Sequence, residues 1–437
     1  MESSRDKIKR FYEHYNELEK GKFIKFNGFK GKEEALKQMK ASLYIRKMEK
    51  WFVNKNVLYL SLSAFFADAG YQAAVALFPV FLVLFLKAPV YYLGLIYALQ
   101  YGIGALFAYA GGVLADEYGK KKVAVAGNSL IPILSFLGVA SNLLLSPALF
   151  LFGWWARDSR SPARRALVAL ASDEKHRKRA FGVLHALDLG GGAVAITYLI
   201  ILLSFRVAYS LIFLFTTAPL IISTFFLLKS SVNEKLDKIK IKLGNVKKAR
   251  IDKNAFAGVI ISTSLFGFSY YSLGYPILTI AQESTSILGV FSYLLFLLVS
   301  AFSGYYLGSR AKRYKIITSL SLFGYLLAGI GSLLMGLFYL YSLNIITAYV
   351  GVLMLGFAVG AIETFEPTIV SKTSYKEKSG KSFGQLSAFR SAGLFLGNLF
   401  MGVLYVFSPF YSYLYAFVVS AIAALIVYAF GRKLDLR

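Results

Sequence analysis

The chain contains no cysteine in its 437 residues. Disulfides, thiol nucleophiles and thiolate metal sites are therefore excluded. Histidine is almost as scarce. His14, His176 and His185 share no ligand spacing, so neither a metal nor another cofactor is expected. Acidic residues number 23 against 49 lysines and arginines, a net charge of +26. In a soluble chain that imbalance would suggest nucleic acid; the distribution of the basic residues points elsewhere. The pattern of a cleavable signal peptide is also missing, because the first apolar run starts near Val57 behind a charged segment. The first span itself is expected to direct insertion.

Apolar residues make up 57% of the chain, above the roughly 45–50% of soluble domains. Twelve stretches reach the roughly 20 residues that a span requires. They run near 57–86, 90–113, 123–145, 147–170, 180–203, 207–228, 254–281, 286–307, 316–340, 343–370, 382–407 and 410–430. Forty-two of the 49 basic residues fall in the N-terminal segment, the C-terminal tail and alternate loops. The opposite loops hold only Lys87 and Arg206. Cytoplasmic loops carry such an excess. Both termini are therefore expected in the cytoplasm of a multi-pass protein of the cell membrane. The positive charge would face anionic lipid rather than nucleic acid.

Residues 1–56 form a basic segment in which Leu36, Met39, Leu43, Met48, Trp51 and Phe52 recur near helical spacing. An amphipathic helix on the membrane surface fits that pattern; for residues 1–30 a solvated tail is the alternative. The lysine-rich linker 229–253 separates bundle 57–228 from bundle 254–437. The two halves read as repeats. Gly112 to Lys120 aligns with Gly304 to Lys312, and Phe181-Gly182-x-Leu184-x-Ala186 aligns with Phe383-Gly384-x-Leu386-x-Ala388. Pro162 in the fourth span parallels Pro367 in the tenth. Matches in the same order at corresponding spans indicate duplication. The expected fold is an all-α membrane protein with twelve transmembrane helices in two pseudo-symmetric six-helix bundles.

The loop G-V-L-A-D-E-Y-G-K-K-K at 112–122 resembles the signature between helices 2 and 3 of the major facilitator superfamily. Its matching residues are Gly112, Asp116, Gly119 and Lys120, followed by Lys121 and Lys122. The resemblance covers about residues 57–430. It implies a secondary transporter with alternating access and a central cavity, and a gating role for Asp116 at a neighbouring helix N-terminus; the oligomeric state is not fixed by the sequence, a monomer being the expectation. Two departures stand out. Gly308 occupies the acidic position in the second copy, and no proline follows Gly190, Gly191 and Gly192, which argues against drug-type antiport.

A short set of charges falls inside the spans: Asp68, Arg157, Asp158, Arg160, Arg164, Arg165, Asp188, Glu363, Glu366 and Arg390. An ionised group at mid-bilayer costs about 2.5–3.5 kcal/mol on insertion scales, so it should face a cavity or a partner. Arg157, Arg160 and Arg164 share one helical face and are expected to cluster with Asp188, about 12 Å deep. His185 would lie on the aspartate's face, with Asp158 and Arg165 on another face of the fourth span. Arg390 aligns with Asp188 and is expected to pair with Glu363 or Glu366. Asp68, about 17 Å deep and without an obvious basic partner, is a proton-binding candidate; a polar contact near the helix end is the alternative. Gln72, one turn on, is a candidate solute contact, and Tyr270 and Tyr271 could line the cavity.

The expected function is proton-coupled transport of a small solute. A lipid flippase of the same fold is one alternative. A sensor or scaffold that recruits a partner through the basic N-terminal segment is another. An intramembrane enzyme would require a metal cluster or an activated nucleophile, and the sequence offers neither.

Overall fold

The computed structural model describes residues 55–172, 177–232, 253–269, 273–309, 315–373 and 379–432. The segment 1–54, most of the linker, Tyr270 and Tyr271 lie outside the described residues. The described chain is helical, without strands. The helices are α1 (Lys55–Phe85), α2 (Val90–Tyr118), α3 (Lys120–Ala140), α4 (Leu145–Ala171), α5 (Arg177–Ser204) and α6 (Tyr209–Lys229). α7 is described in two pieces, Lys253–Ser269 and Gly274–Glu283. α8 (Ser286–Ser309), α9 (Ile316–Leu340), α10 (Ile345–Thr373), α11 (Ser379–Phe407) and α12 (Pro409–Gly431) follow.

Ten of these helices have an apolar stretch long enough to cross a membrane. α4 is not among them, because Arg157, Asp158, Arg160, Arg164 and Arg165 crowd one half of it. Its 27 residues still measure about 40 Å, so length makes it a span and charge makes it unusual. Large apolar side chains such as Leu106, Phe302, Phe400 and Leu425 are exposed on the outer surface. In water such a surface would aggregate; here it is the face that meets lipid.

The odd-numbered helices begin on the lysine-rich side of the sequence, here termed the basic side, and end on the far side. The two basic residues of the far side have a local explanation. Lys87 and Arg206 follow the C-termini of α1 and α5 with φ of 60° and 52°. Val207 N–H bonds back to the Leu202 carbonyl at 3.0 Å and Ala88 N–H to Leu82 at 3.0 Å. Each cation thus occupies a left-handed cap at the negative end of a helix dipole.

Packing repeats between the halves. α1 packs on α5 and α6, α2 on α4, and α3 on α4 and α6. Raising every number by six gives the contacts of the second half: α7 on α11 and α12, α8 on α10, and α9 on α10 and α12. Close backbone approach sets these contacts, as expected where lipid removes the hydrophobic drive for helix association. A Cβ on Gly191 of α5 would lie 2.1 Å from the Phe65 carbonyl oxygen of α1. The same atom on Gly111 of α2 would lie 2.0 Å from that of Ser159 on α4.

The halves meet along two further pairs, α2 with α11 and α5 with α8. In the first, a Cβ on Gly94 would lie 2.7 Å from the Asn398 carbonyl oxygen and 2.8 Å from Gly402 Cα. That contact belongs to the far-side half of both helices. Toward the basic side they part. From residue 106 to the end of α2 only Gly111 and Ala115 are buried, and residues 387–389 of α11 are exposed. The two halves are therefore packed tightly on the far side and leave Arg165, His185 and Glu363 exposed on the basic side, the open side of the pair.

Gly111→Ala and Gly191→Ala are expected to lower the thermal midpoint in detergent, each costing about 1–3 kcal/mol by overpacking. Gly182→Ala, where an added Cβ meets nothing within 4 Å, should be neutral or stabilising.

Candidate functional site

Two charged clusters flank the open side. The first joins α1, α3, α4, α5 and α6. Asp68 is buried, 6% exposed, and accepts a hydrogen bond from Tyr71 one turn along α1. No cation among the described residues is bonded to it, although Arg157, Arg160 and Arg164 lie within electrostatic reach. Arg157 donates to Asp158 at 2.8 Å. Its guanidinium carbon lies 4.8 Å from the Trp154 ring centre and 5.5 Å from that of Tyr71. Arg160 has no exposed surface and donates to the Asn128 side-chain oxygen on α3 at 2.6 Å. The Asn128 amide donates in turn to Ser223 (3.2 Å) and Thr224 (2.7 Å) on α6. Arg164 pairs with Asp188 of α5 at 3.3 Å.

The expected union of Arg157, Arg160 and Arg164 around Asp188 is therefore corrected. Only Arg164 reaches Asp188. Successive positions on α4 face different neighbours, so Arg160 turns to α3. Arg157 is held by Asp158, which helical spacing alone puts on another face. A long guanidinium side chain bends across about 100° of helix surface to find a carboxylate or an aromatic face.

The second cluster joins α7, α9, α10 and α11. Arg390 binds both Glu363 and Glu366, where the sequence suggested one or the other. Glu366 is fully buried. It also accepts from Thr263 on α7 at 3.0 Å and from Tyr325 on α9. The Arg390 Nε donates to the Thr263 hydroxyl at 3.3 Å. Glu363 keeps 49% of its side chain exposed.

Gln72, the candidate solute contact, lies where the two halves touch. Its carbonyl oxygen accepts from the Tyr293 hydroxyl of α8 at 2.8 Å, a hydrogen bond between the two halves. Asp116 is 79% exposed, and its ion pair is with the Lys120 side chain at 3.5 Å. It does not bond a helix N-terminus here. Gly119 supplies the φ of 105° that turns α2 into α3. Gly112 is not the tight-packing glycine of the loop; that position is Gly111, since a Cβ on Gly112 would come no nearer than 3.8 Å to Pro162. Lys121 donates to the Leu228 and Ser230 carbonyls at 2.9 and 2.6 Å, capping the end of α6.

Tyr71, Asn128, Thr263 and Tyr325 were not singled out from the sequence. Tyr71 was detectable, one turn from an orphan aspartate. The other three are uncharged polar residues in apolar helices. Their partners are more than 30 residues away in sequence. No group of three or more residues suited to hold a metal occurs among the described residues.

The sequence pattern of the Major Facilitator Superfamily matches residues 60–398. The chain belongs to the major facilitator superfamily. Solved structures share the fold at low identity. The nucleoside transporter NupG is 14% identical, covers 88% of this chain and all of its own, and superposes with a TM-score of 0.66. The Escherichia coli xylose transporter XylE in an inward-open conformation is 14% identical, with coverage of 86% and 96% and a TM-score of 0.66. A bacterial homologue of the human lysosomal transporter Spinster, inward-facing and occupied, is 14% identical, with coverage of 87% and 97% and a TM-score of 0.64. A stretch of 38 residues, 9% of the chain, is 66% identical to an inorganic pyrophosphatase of Thermoplasma volcanium. It spans 22% of that enzyme, short of a domain, and brings no activity with it. This member of the superfamily is a multi-pass membrane transporter and not an enzyme.

In this transporter Arg390→Ala is expected to strand the buried Glu366 carboxylate and cost about 3–5 kcal/mol, read as a lower thermal midpoint. Arg164→Ala, at a longer and partly exposed ion pair, should cost less than half of that.

Proposed function

We propose that the protein carries a small solute across the cell membrane by rocking one six-helix bundle against the other, coupled to protons. One observation carries the reading: the bundles pack tightly from mid-span to the far side, and both charged clusters border the opening on the basic side. The Lys/Arg excess makes that side cytoplasmic. The bundles are 57–228 and 254–437, joined by the 229–253 linker. The cavity is bounded by the helices of one chain, so the working unit is a monomer in lipid.

Asp68 is the proton carrier. Burial favours the protonated carboxyl, while the hydroxyl that Tyr71 donates steadies the carboxylate once the proton has left. Asp188 and Arg390 shift with their bundles, and Arg157, 31% exposed between two aromatic rings, offers its outer nitrogen to a polar group of the solute. Arg160 has no exposed surface and braces α3 against α4 rather than touching cargo. Gln72 links the bundles through Tyr293 in the open form. Asp116 and Lys120 engage when the basic side closes.

A thermal-shift screen of diverse solutes at two pH values identifies the cargo; a solute at 100 times its Kd adds about 2.7 kcal/mol. With that solute in proteoliposomes, Asp68→Asn is expected to abolish accumulation driven by a pH gradient. Solute exchange without a gradient should persist. Gradient-driven accumulation at the native rate in the variant would remove proton coupling from Asp68.

A further inference from the structure

α9 and α12 run together in the second bundle, and a groove of about 450 Å³ opens between them on the lipid-facing surface. Thr318, Leu322 and Leu326 of α9 and Ala421, Leu425 and Tyr428 of α12 line it. The Ser321 hydroxyl donates to the Ala424 carbonyl at 2.8 Å and closes the floor. Here α9 is wound as a π stretch, Leu320–Leu326, a wider turn than the α-helix. The groove lies in the basic-side half of both helices, and two cations stand at its end. Lys315 precedes Thr318 by three residues and Arg432 follows Tyr428 by four, so both sit on the groove's side of their helices. The helix ends touch there, since a Cβ on Gly431 would lie 2.6 Å from the Ile317 side chain. We propose that this groove binds one anionic phospholipid of the basic-side leaflet, its phosphate between Lys315 and Arg432 and an acyl chain along Leu322, Leu326 and Leu425.

Cations are common on this side of the protein, so their presence alone decides nothing. What sets this pair apart is that the protein leaves it unused. The equivalent helices of the first half are α3 and α6, and their basic ends are engaged. Lys120 pairs with Asp116, Lys121 caps α6, and the Lys229 ammonium lies 4.7 Å from the Phe225 ring centre. Lys315 and Arg432 are exposed and make no hydrogen bond or ion pair among the described residues. Neither α9 nor α12 contains an acidic residue, so the counter-charge comes from outside these helices. Basic clusters between helices at the cytoplasmic surface attract anionic headgroups. A free phosphate would satisfy the two cations and leave the groove bare. From Thr318 to Leu326 the groove runs eight residues of α9, about 12 Å, and an acyl chain covers that length. The chain would pack against the same π stretch that presents Tyr325 to Glu366, which ties lipid occupancy to the second charged cluster.

The probe is phosphatidylglycerol, with phosphatidylcholine as its zwitterionic counterpart. Each is titrated onto the purified full chain in detergent, and bound lipids are counted by native mass spectrometry. No transported solute is needed. The native chain is expected to take its first phosphatidylglycerol more tightly than its first phosphatidylcholine. A Lys or Arg at an anionic lipid surface contributes a factor of about five, so the double variant Lys315→Gln/Arg432→Gln should bind phosphatidylglycerol about 25-fold more weakly and lose the preference. Ala421→Trp fills the groove and keeps both charges; it should weaken the first site by a comparable factor. Lys229→Gln, at the equivalent end of the first half, should leave it unchanged. Elution from size-exclusion chromatography confirms that each variant is folded. Equal affinities of the native chain for the two lipids, native affinity in either groove variant, or an equal loss in Lys229→Gln would overturn the site. Displacement of the lipid by glycerol phosphate at equal concentration would overturn the lipid in favour of a soluble anion.

Discussion

An ionised side chain inside a bilayer has two tolerable surroundings, a partner of opposite charge or a space that admits water. Most of the charged residues in these spans satisfy that requirement; Arg160 and Asp68, buried against Asn128 and Tyr71, are the exceptions. Charge burial explains why α4 runs against the basic-side halves of α2, α3 and α5 and why α10 and α11 cannot drift apart. It also explains why the opening lies on the side where Arg165, His185 and Glu363 need water. The far side carries almost no charge, and there the bundles are free to close tightly.

The duplicated halves meet this requirement with reversed signs. Asp188 in α5 and Arg390 in α11 occupy aligned positions, one anionic and one cationic. Each finds its counterpart on the preceding helix, α4 or α10. The supporting polar group comes from α3 in one half (Asn128) and α9 in the other (Tyr325). Both helices depart from regular α geometry nearby, as a 3-10 stretch at Ile131–Phe136 and a wider π stretch at Leu320–Leu326. In α3 Pro132 removes a backbone donor. In α9 the irregular turn contains Tyr325 itself, and such bulges tend to mark functional positions. The duplication thus preserved the scaffold while its two ion-pair networks diverged.

Much of this was legible in the sequence because the bilayer simplifies the code. A span needs a fixed length of apolar residues, and lysine sorts to one side. Those two rules gave the spans and the bundle order, and the repeats gave the pseudo-symmetry. The site was legible only as a set of misplaced charges. Pairing failed where geometry depends on side-chain reach: Arg157 curls onto its neighbour Asp158 and Arg160 turns to Asn128, and no spacing rule separates those options. The Tyr293 partner of Gln72 was invisible for another reason. It lies 221 residues away in the other half, and a contact between halves exists in only some arrangements of a moving protein.

The glycine contact between α2 and α11 has a mechanical consequence. Interlocked side chains would have to unpack before two helices could turn against each other. At Gly94 and Gly402 backbone meets backbone, with the Tyr275 hydroxyl beside both. About 24 residues of α2 separate Gly94 from Tyr118, a lever of about 36 Å. Under the proposed rocking, a roll of roughly 10° at the glycines would sweep the basic-side tip through about 6 Å, so two residues without side chains would act as a bearing and the helix length would multiply their small rotation into a passage.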